Sequence, residues 1–255
     1  MRRLIGNFMA AIPLIISGTL STPDHQRIAY DYYNAGHKKI VVIAHGFFNS
    51  KDAVLIRKLK DYLIDSYDIF IFDLRGHGKS TGLFTWTSKE HIDLETVMDY
   101  VKQKYDKIGI IGFSYGAAIS IQYISEHDSI ASLVAISAPY DSMKIDYHFW
   151  NLDIENDILF NLGEGGRNKG IRPGPFWLKK KRPVDLVGTL KCPVFYIHGE
   201  KDWVTSYRQS EKLYEKTNSK KKIEIIKGGS HAEYLLRKNP EAFVGMIKDW
   251  FKETL

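Results

Sequence analysis

The run Gly112-Phe113-Ser114-Tyr115-Gly116 constrains this chain more than any other stretch. It stands between an apolar, strand-like segment, Lys107-Ile108-Gly109-Ile110-Ile111, and an Ala-rich segment whose pattern predicts a helix with one buried face. In that context a Gly-x-Ser-x-Gly turn holds its serine in strained backbone geometry, with the hydroxyl exposed at the end of a sheet. The glycines answer a steric need. A side chain at 112 or 116 would collide where strand and helix approach across so tight a turn. The five residues alone recur by chance; their setting nominates Ser114 as a nucleophile.

Around this joint, apolar strand-like runs alternate with amphipathic helical ones. Strands are expected at residues 28–33, 40–44, 69–72, 108–112, 133–136, 194–197 and 223–226, and helices at 53–64, 91–101, 115–124, 207–214 and 242–251. Such alternation predicts an α/β fold with a mostly parallel central sheet, helices on both faces and right-handed crossovers. Ligands then bind beyond the carboxyl ends of the strands. A chain of 255 residues with 44% hydrophobic content fills one large core, and no repeat or linker composition divides it, so a single domain over 1–255 is expected. Residues 141–186 break the alternation, mixing Tyr147, Phe149, Trp150, Phe160, Phe176 and Trp177 with several glycines. A loop-rich stretch of this length predicts a cap inserted over the site. Most of its aromatics would pack the cap on the body, and one or two would line an acyl or aryl pocket.

A formal charge of +6, with clusters at residues 179–182 and 220–222, describes a surface with mild attraction for anions. No basic stripe with stacking aromatics is present, so no nucleic-acid partner is expected. The single cysteine, Cys192, excludes an intramolecular disulfide and reads as a core residue. Arg2 and Arg3 precede an apolar run over residues 4–16 that resembles the start of a signal peptide, but the cleavage end at Ile16-Ser17-Gly18 is poor and the run is too short to span a bilayer. The expectation is a cytoplasmic protein whose N-terminal run packs on the domain as a helix or edge strand. Export, or membrane association through residues 4–16, is the alternative.

A serine hydroxyl needs a base, and the base needs a carboxylate to orient it. His231 follows the last expected strand through Lys227-Gly228-Gly229-Ser230, at a carboxyl end. Asp202 follows the preceding strand and is favoured as the acid over Glu200, in the same turn, and Asp141, after the strand at 133–136. The chain order Ser114, Asp202, His231 is one of the known orders of a triad. The developing oxyanion needs backbone donors: the N–H of Tyr115, after the nucleophile, and the N–H of Phe47, in the loop His45-Gly46-Phe47-Phe48-Asn49-Ser50. His45 is expected to brace that loop.

Five segments, His45-Gly46-Phe47, Asp73-Leu74-Arg75-Gly76-His77-Gly78-Lys79-Ser80, the turn around Ser114, His198-Gly199-Glu200-Lys201-Asp202 and Gly229-Ser230-His231, make the chain resemble the α/β-hydrolase superfamily of serine hydrolases over nearly its full length. The resemblance implies that the Asp73 segment is a structural turn and that the stretch after Tyr140 is a cap. It points to small-cap esterases and acyl hydrolases, including cinnamoyl-ester hydrolases and monoacylglycerol lipases. Gly78-Lys79-Ser80 is no phosphate loop, since Asp73 stands where a glycine is required, and Gly163-Glu164-Gly165-Gly166 follows no strand. With no metal-ligand spacing among the histidines, no cofactor is expected. The expected activity is hydrolysis of a small carboxylic ester through an acyl-enzyme. Thioester, amide, acyl-transfer or carbon-carbon chemistry on the same residues, or ligand binding without catalysis, are the alternatives.

Overall fold

The computed structural model describes residues 13–255. Its eight strands are β1 (Leu14–Ser21), β2 (Arg27–Asn34), β3 (Lys39–Ala44), β4 (Asp68–Phe72), β5 (Lys107–Phe113), β6 (Ser132–Ile136), β7 (Val194–Gly199) and β8 (Lys221–Ile226). They form one sheet in the order β1-β2-β4-β3-β5-β6-β7-β8. β2 runs antiparallel to β1 and β4, and every other neighbouring pair is parallel. The central strands are near-continuous runs of Ile, Val, Phe and Ala because both of their faces are covered.

Two helical layers do the covering. Helices α1 (Val54–Leu63) and α5 (Pro240–Thr254) present Ile56, Leu59, Ile247 and Phe251 to one face, against Val41, Ile43, Ile69 and Ile71. Helices α2 (Glu90–Lys102), α3 (Tyr115–Glu126) and α4 (Arg208–Lys216) cover the other, where Leu94, Val97, Ile119 and Leu213 join Val42, Phe70 and Ile110. Alternate residues of one strand, such as Val41 and Val42, thus serve opposite cores. α5 starts cleanly, with Asn239 Oδ1 accepting from Ala242 N–H and Pro240 at its first position.

All seven expected strands are present. β1 was not among those seven; of the two options for the N-terminal run, helix or edge strand, its end takes the edge strand, which continues through Ser17, Thr19 and Ser21 and stays exposed or half-buried. Residues 14–16, the end of the signal-like run, pair there with Asn34, Tyr33 and Tyr32; residues 4–12 of that run lie outside the described residues. Among the described residues, no helix is long and apolar enough to cross a membrane.

Between β6 and β7, residues 141–186 carry only short elements: turns of helix at Phe149–Asn151, Ile154–Leu159, Phe160–Leu162, Glu164–Gly166 and Pro183–Leu186. The segment is tied to the loops after β3 and β4. Ser50 Oγ donates to Asn168 O at 2.5 Å, Arg172 donates to His77 O at 3.3 Å, and Phe84 N–H donates to Arg172 O at 2.9 Å.

Candidate active site

Ser114 joins β5 to α3 with φ 50° and ψ −117°, a left-handed backbone that a non-glycine residue adopts only when its surroundings impose it. The imposition is visible on both sides. Ser114 N–H donates to Ile136 O at 2.8 Å, which fixes it to β6. A Cβ on Gly116 would lie 2.2 Å from Ala44 O, and one on Gly112 2.6 Å from Ala117 Cα, so only glycine lets α3 start this close to β3 and β5. Tyr115 N–H, the first of α3, has no acceptor within the helix and is available to an oxyanion.

The loops after β7 and β8 meet because Gly199 has no side chain: a Cβ there would lie 2.2 Å from Ser230 O. Their contact brings Asp202 Oδ2 to 2.7 Å from His231 Nδ1. The same oxygen is 3.0 Å from His198 Nε2, and Oδ1 accepts from the N–H groups of Val204 and Thr205, both at 2.9 Å. Burial opposes ionisation of Asp202, yet the His231 charge and the hydrogen bonds to His198 and His231 hold its carboxyl far below the usual carboxylate range. Burial likewise works against the charged form of His231, but the Asp202 charge and hydrogen bond outweigh it, with help from Glu233 and Asp157, and its pKa is raised. Nδ1–H is committed to Asp202, which leaves Nε2 for proton transfer. Glu200 instead accepts from Gly228 N–H at 2.9 Å, and Asp141 accepts from Met143 N–H at 3.0 Å.

His198 is a part of this arrangement that the sequence reading missed. Its Nε2 lies between Asp202 Oδ2 and Thr205 O, two groups that only accept, so Nε2 carries the proton and Nδ1 faces Ser210 Oγ at 2.7 Å. The spacing of His198 four residues before Asp202 was the available signal. His45 is buried and neutral, pushed down to about 4 by burial; its Nδ1–H donates to Gly46 O at 2.8 Å and its Nε2 accepts from Leu74 N–H at 3.1 Å. It braces the loop that carries Phe47. Asp73 accepts from the N–H groups of Lys51 and Lys79 at 2.7 and 2.8 Å, closing the turn after β4.

Ser114, Tyr115, Phe47 and His231 all border one cavity of about 400 Å³. Phe47, Trp86, Tyr115, Ile145, Tyr147 and Trp203 make much of its wall apolar. Asp157, Asn161, Lys169, Glu233 and Tyr234 supply a polar region on the His231 side of the sequence and from residues 141–186. The Lys169–Glu233 ion pair, at 3.1 Å with both side chains buried, was also missed. Its members are 64 residues apart, and no local pattern links them. Of the aromatics in 141–186, Tyr147 borders the cavity although half of it is exposed, whereas the exposed Phe149, Trp150, Phe176 and Trp177 do not border it.

A sheet of this order, with a strained serine between strand and helix at its centre, defines a class: the chain belongs to the α/β-hydrolase superfamily. A family profile described as alpha/beta hydrolase fold matches residues 39–158, and one described as serine aminopeptidase, S33, matches residues 181–235. Its relatives include the uncharacterized protein YqkD of Bacillus subtilis (strain 168), 25% identical over 242 residues that cover 86% of this chain and 75% of that one. The Pyrococcus furiosus esterase Pf2001 has a similar structure, with a TM-score of 0.75, 25% identity, and coverage of 99% of this chain and 97% of its own. The esterase RhEst1 from Rhodococcus sp. ECU1013 superposes with a TM-score of 0.77 over 94% of this chain and 99% of its own; at 17% identity it shows the shared fold alone.

Proposed function

We propose that the chain is a serine hydrolase of carboxylic esters that works through an acyl-enzyme. The observation that carries this reading is one cavity bordered both by Ser114, at positive φ, and by His231, whose Nδ1 is held by Asp202. His231 Nε2 takes the proton as Ser114 Oγ attacks the acyl carbonyl, and Asp202 stabilises the imidazolium. The N–H groups of Phe47 and Tyr115 receive the oxyanion; one such donor is worth about 10² to 10³ in rate. His231 then protonates the leaving alcohol, and a water activated by the same ring releases the acid.

The aromatic wall suits an apolar acyl or aryl group, and the polar region suits a small alcohol that carries hydroxyl or similar groups. Similarity to the Pyrococcus esterase supports an ester over other acyl substrates. The match of residues 181–235 to an aminopeptidase profile favours amides as a second reading. The test is release of p-nitrophenol from acetate, butyrate, octanoate and laurate esters by the wild type and by Ser114→Ala. Turnover that disappears in the variant supports the reading, and the best chain length sizes the cavity. A wild type as inactive as Ser114→Ala on every ester overturns it, and p-nitroanilide substrates then decide the amide alternative.

A further inference from the structure

Residues 176–182, Phe176-Trp177-Leu178-Lys179-Lys180-Lys181-Arg182, place two aromatic rings one residue ahead of four cations. The rings meet each other at 5.5 Å, yet Phe176 is 58% and Trp177 75% exposed, an arrangement that core packing does not explain. Together with exposed Met143 they line a cleft of about 430 Å³, which Lys180, Lys181 and Arg182 also line. Ser142 borders the same cleft; it is buried, and its hydroxyl has no hydrogen-bond partner. None of these residues borders the catalytic cavity.

The cations remain open to exchange. Lys181 pairs with Glu126 and Arg182 with Asp185 on the surface, where such pairs contribute little against water. Lys180 donates to the backbone carbonyls of Phe176 and Leu178. One acid, Asp141, also lines the cleft, 3.9 Å from Arg182. Of the acids that meet these cations, only Asp141 stands in the lining of the cleft itself; Glu126 and Asp185 hold them from outside it.

We propose that this cleft is a second binding site, for a single-chain anionic amphiphile of the fatty-carboxylate class. The chain lies over Met143, Phe176 and Trp177, and the carboxylate sits among Lys180, Lys181 and Arg182, where the Ser142 hydroxyl gains an acceptor. An uncharged hydrocarbon would make no use of these exchangeable cations, and a small inorganic anion would leave the rings in water. Only an amphiphile answers both. The cleft touches the catalytic cavity through one bond, Tyr115 Oη–H to Ser142 O at 2.9 Å.

The test is calorimetric titration of the full chain with sodium decanoate, kept below micelle formation, beside decan-1-ol and anionic phospholipid vesicles. Trp177→Ala and the double variant Lys181→Glu/Arg182→Glu change exposed residues, and melting curves check that both remain folded. Each is expected to weaken decanoate about tenfold or more, and decan-1-ol is expected to bind the wild type at least tenfold more weakly than decanoate. Trp203→Ala, which alters the catalytic cavity, is expected to leave decanoate affinity unchanged. Loss of binding in Trp203→Ala but not in Trp177→Ala overturns the proposal, as do equal affinities for decanoate and decan-1-ol, or binding to vesicles alone. Because an acyl-accepting catalytic cavity would also admit decanoate, the Trp177→Ala and Trp203→Ala arms separate failure of this proposal from failure of the esterase reading.

Discussion

Replacing Lys169 with methionine tests whether one buried charge locks residues 141–186 to the site. The ammonium, on a side chain 3% exposed, donates to Glu233 Oε1 at 3.1 Å, Asn161 Oδ1 at 3.3 Å and Tyr234 Oη at 3.1 Å, which uses all three protons. Glu233 Oε1 also accepts from Asn49 Nδ2 at 2.6 Å, and Asn49 belongs to the loop that carries Phe47. A single ion pair therefore joins the 141–186 segment, the His231 loop and the loop after β3. Methionine keeps most of the volume but leaves Glu233 as a buried carboxylate with one donor. Breaking a buried pair from one side costs about 3–5 kcal/mol, and in a domain of this size each kcal/mol moves Tm by about 2–4 °C. A fall on the order of 10 °C is expected, with more than half recovered in Lys169→Met/Glu233→Gln. The catalytic pH profile supplies a second readout. His231 is faced by the charges of Asp202, Glu233 and Asp157, all of which raise its pKa. Without Lys169 the Glu233 charge acts unbalanced, so the acid limb of kcat/KM on p-nitrophenyl butyrate moves to higher pH and returns in the double variant. A Tm within about 2 °C of wild type, together with an unmoved acid limb, would refute the reasoning.

Three further outcomes are expected. Asp202→Asn removes the carboxylate that both His231 and His198 bond, and should lower kcat by about 10³ to 10⁴ while circular dichroism stays native; a loss under tenfold would exclude Asp202 as the orienting acid. Gly116→Ala drives a Cβ to 2.2 Å from Ala44 O and 2.5 Å from His45 O, so α3 must back away from β3 at a cost of about 1–3 kcal/mol; an unchanged denaturant midpoint contradicts this. The raised pKa of His231 means that kcat/KM falls as pH drops through a midpoint above 6.5. Stability linked to the same group runs the other way: it is full below the unfolded value and is lost as pH rises through the folded value, a slope that His231→Gln should remove from Tm measured against pH.

Much of the site was legible because its residues follow strands whose apolar runs are local signals. Ser114, Asp202 and His231 each stand just past such a run, and the glycines at 112, 116 and 199 mark places where two backbones come too close for a Cβ. β1 was legible only as one of two options for the N-terminal run, helix or edge strand, because an edge strand with one partner needs no continuous apolar face. The irregular character of residues 141–186 was legible from lost periodicity, but the position of each aromatic ring was not. Tyr147 borders the catalytic cavity and Trp177 a separate cleft, and both sit in stretches of similar composition.

By itself, then, the sequence determined the alternation of strand and helix, the strained serine turn and the order of the three candidate groups, since each depends on neighbours within a dozen residues. The tertiary structure alone decided which groups share a cavity and which charges are compensated. Asp202 bonded to His231, Glu233 paired with Lys169 and Asn49, and the cleft beside Trp177 all arise where separate loops converge at the carboxyl ends of β3, β7 and β8 or pack beside them. Coulomb and desolvation energies depend on those through-space distances and on burial, and neither is written in the spacing of residues along the chain.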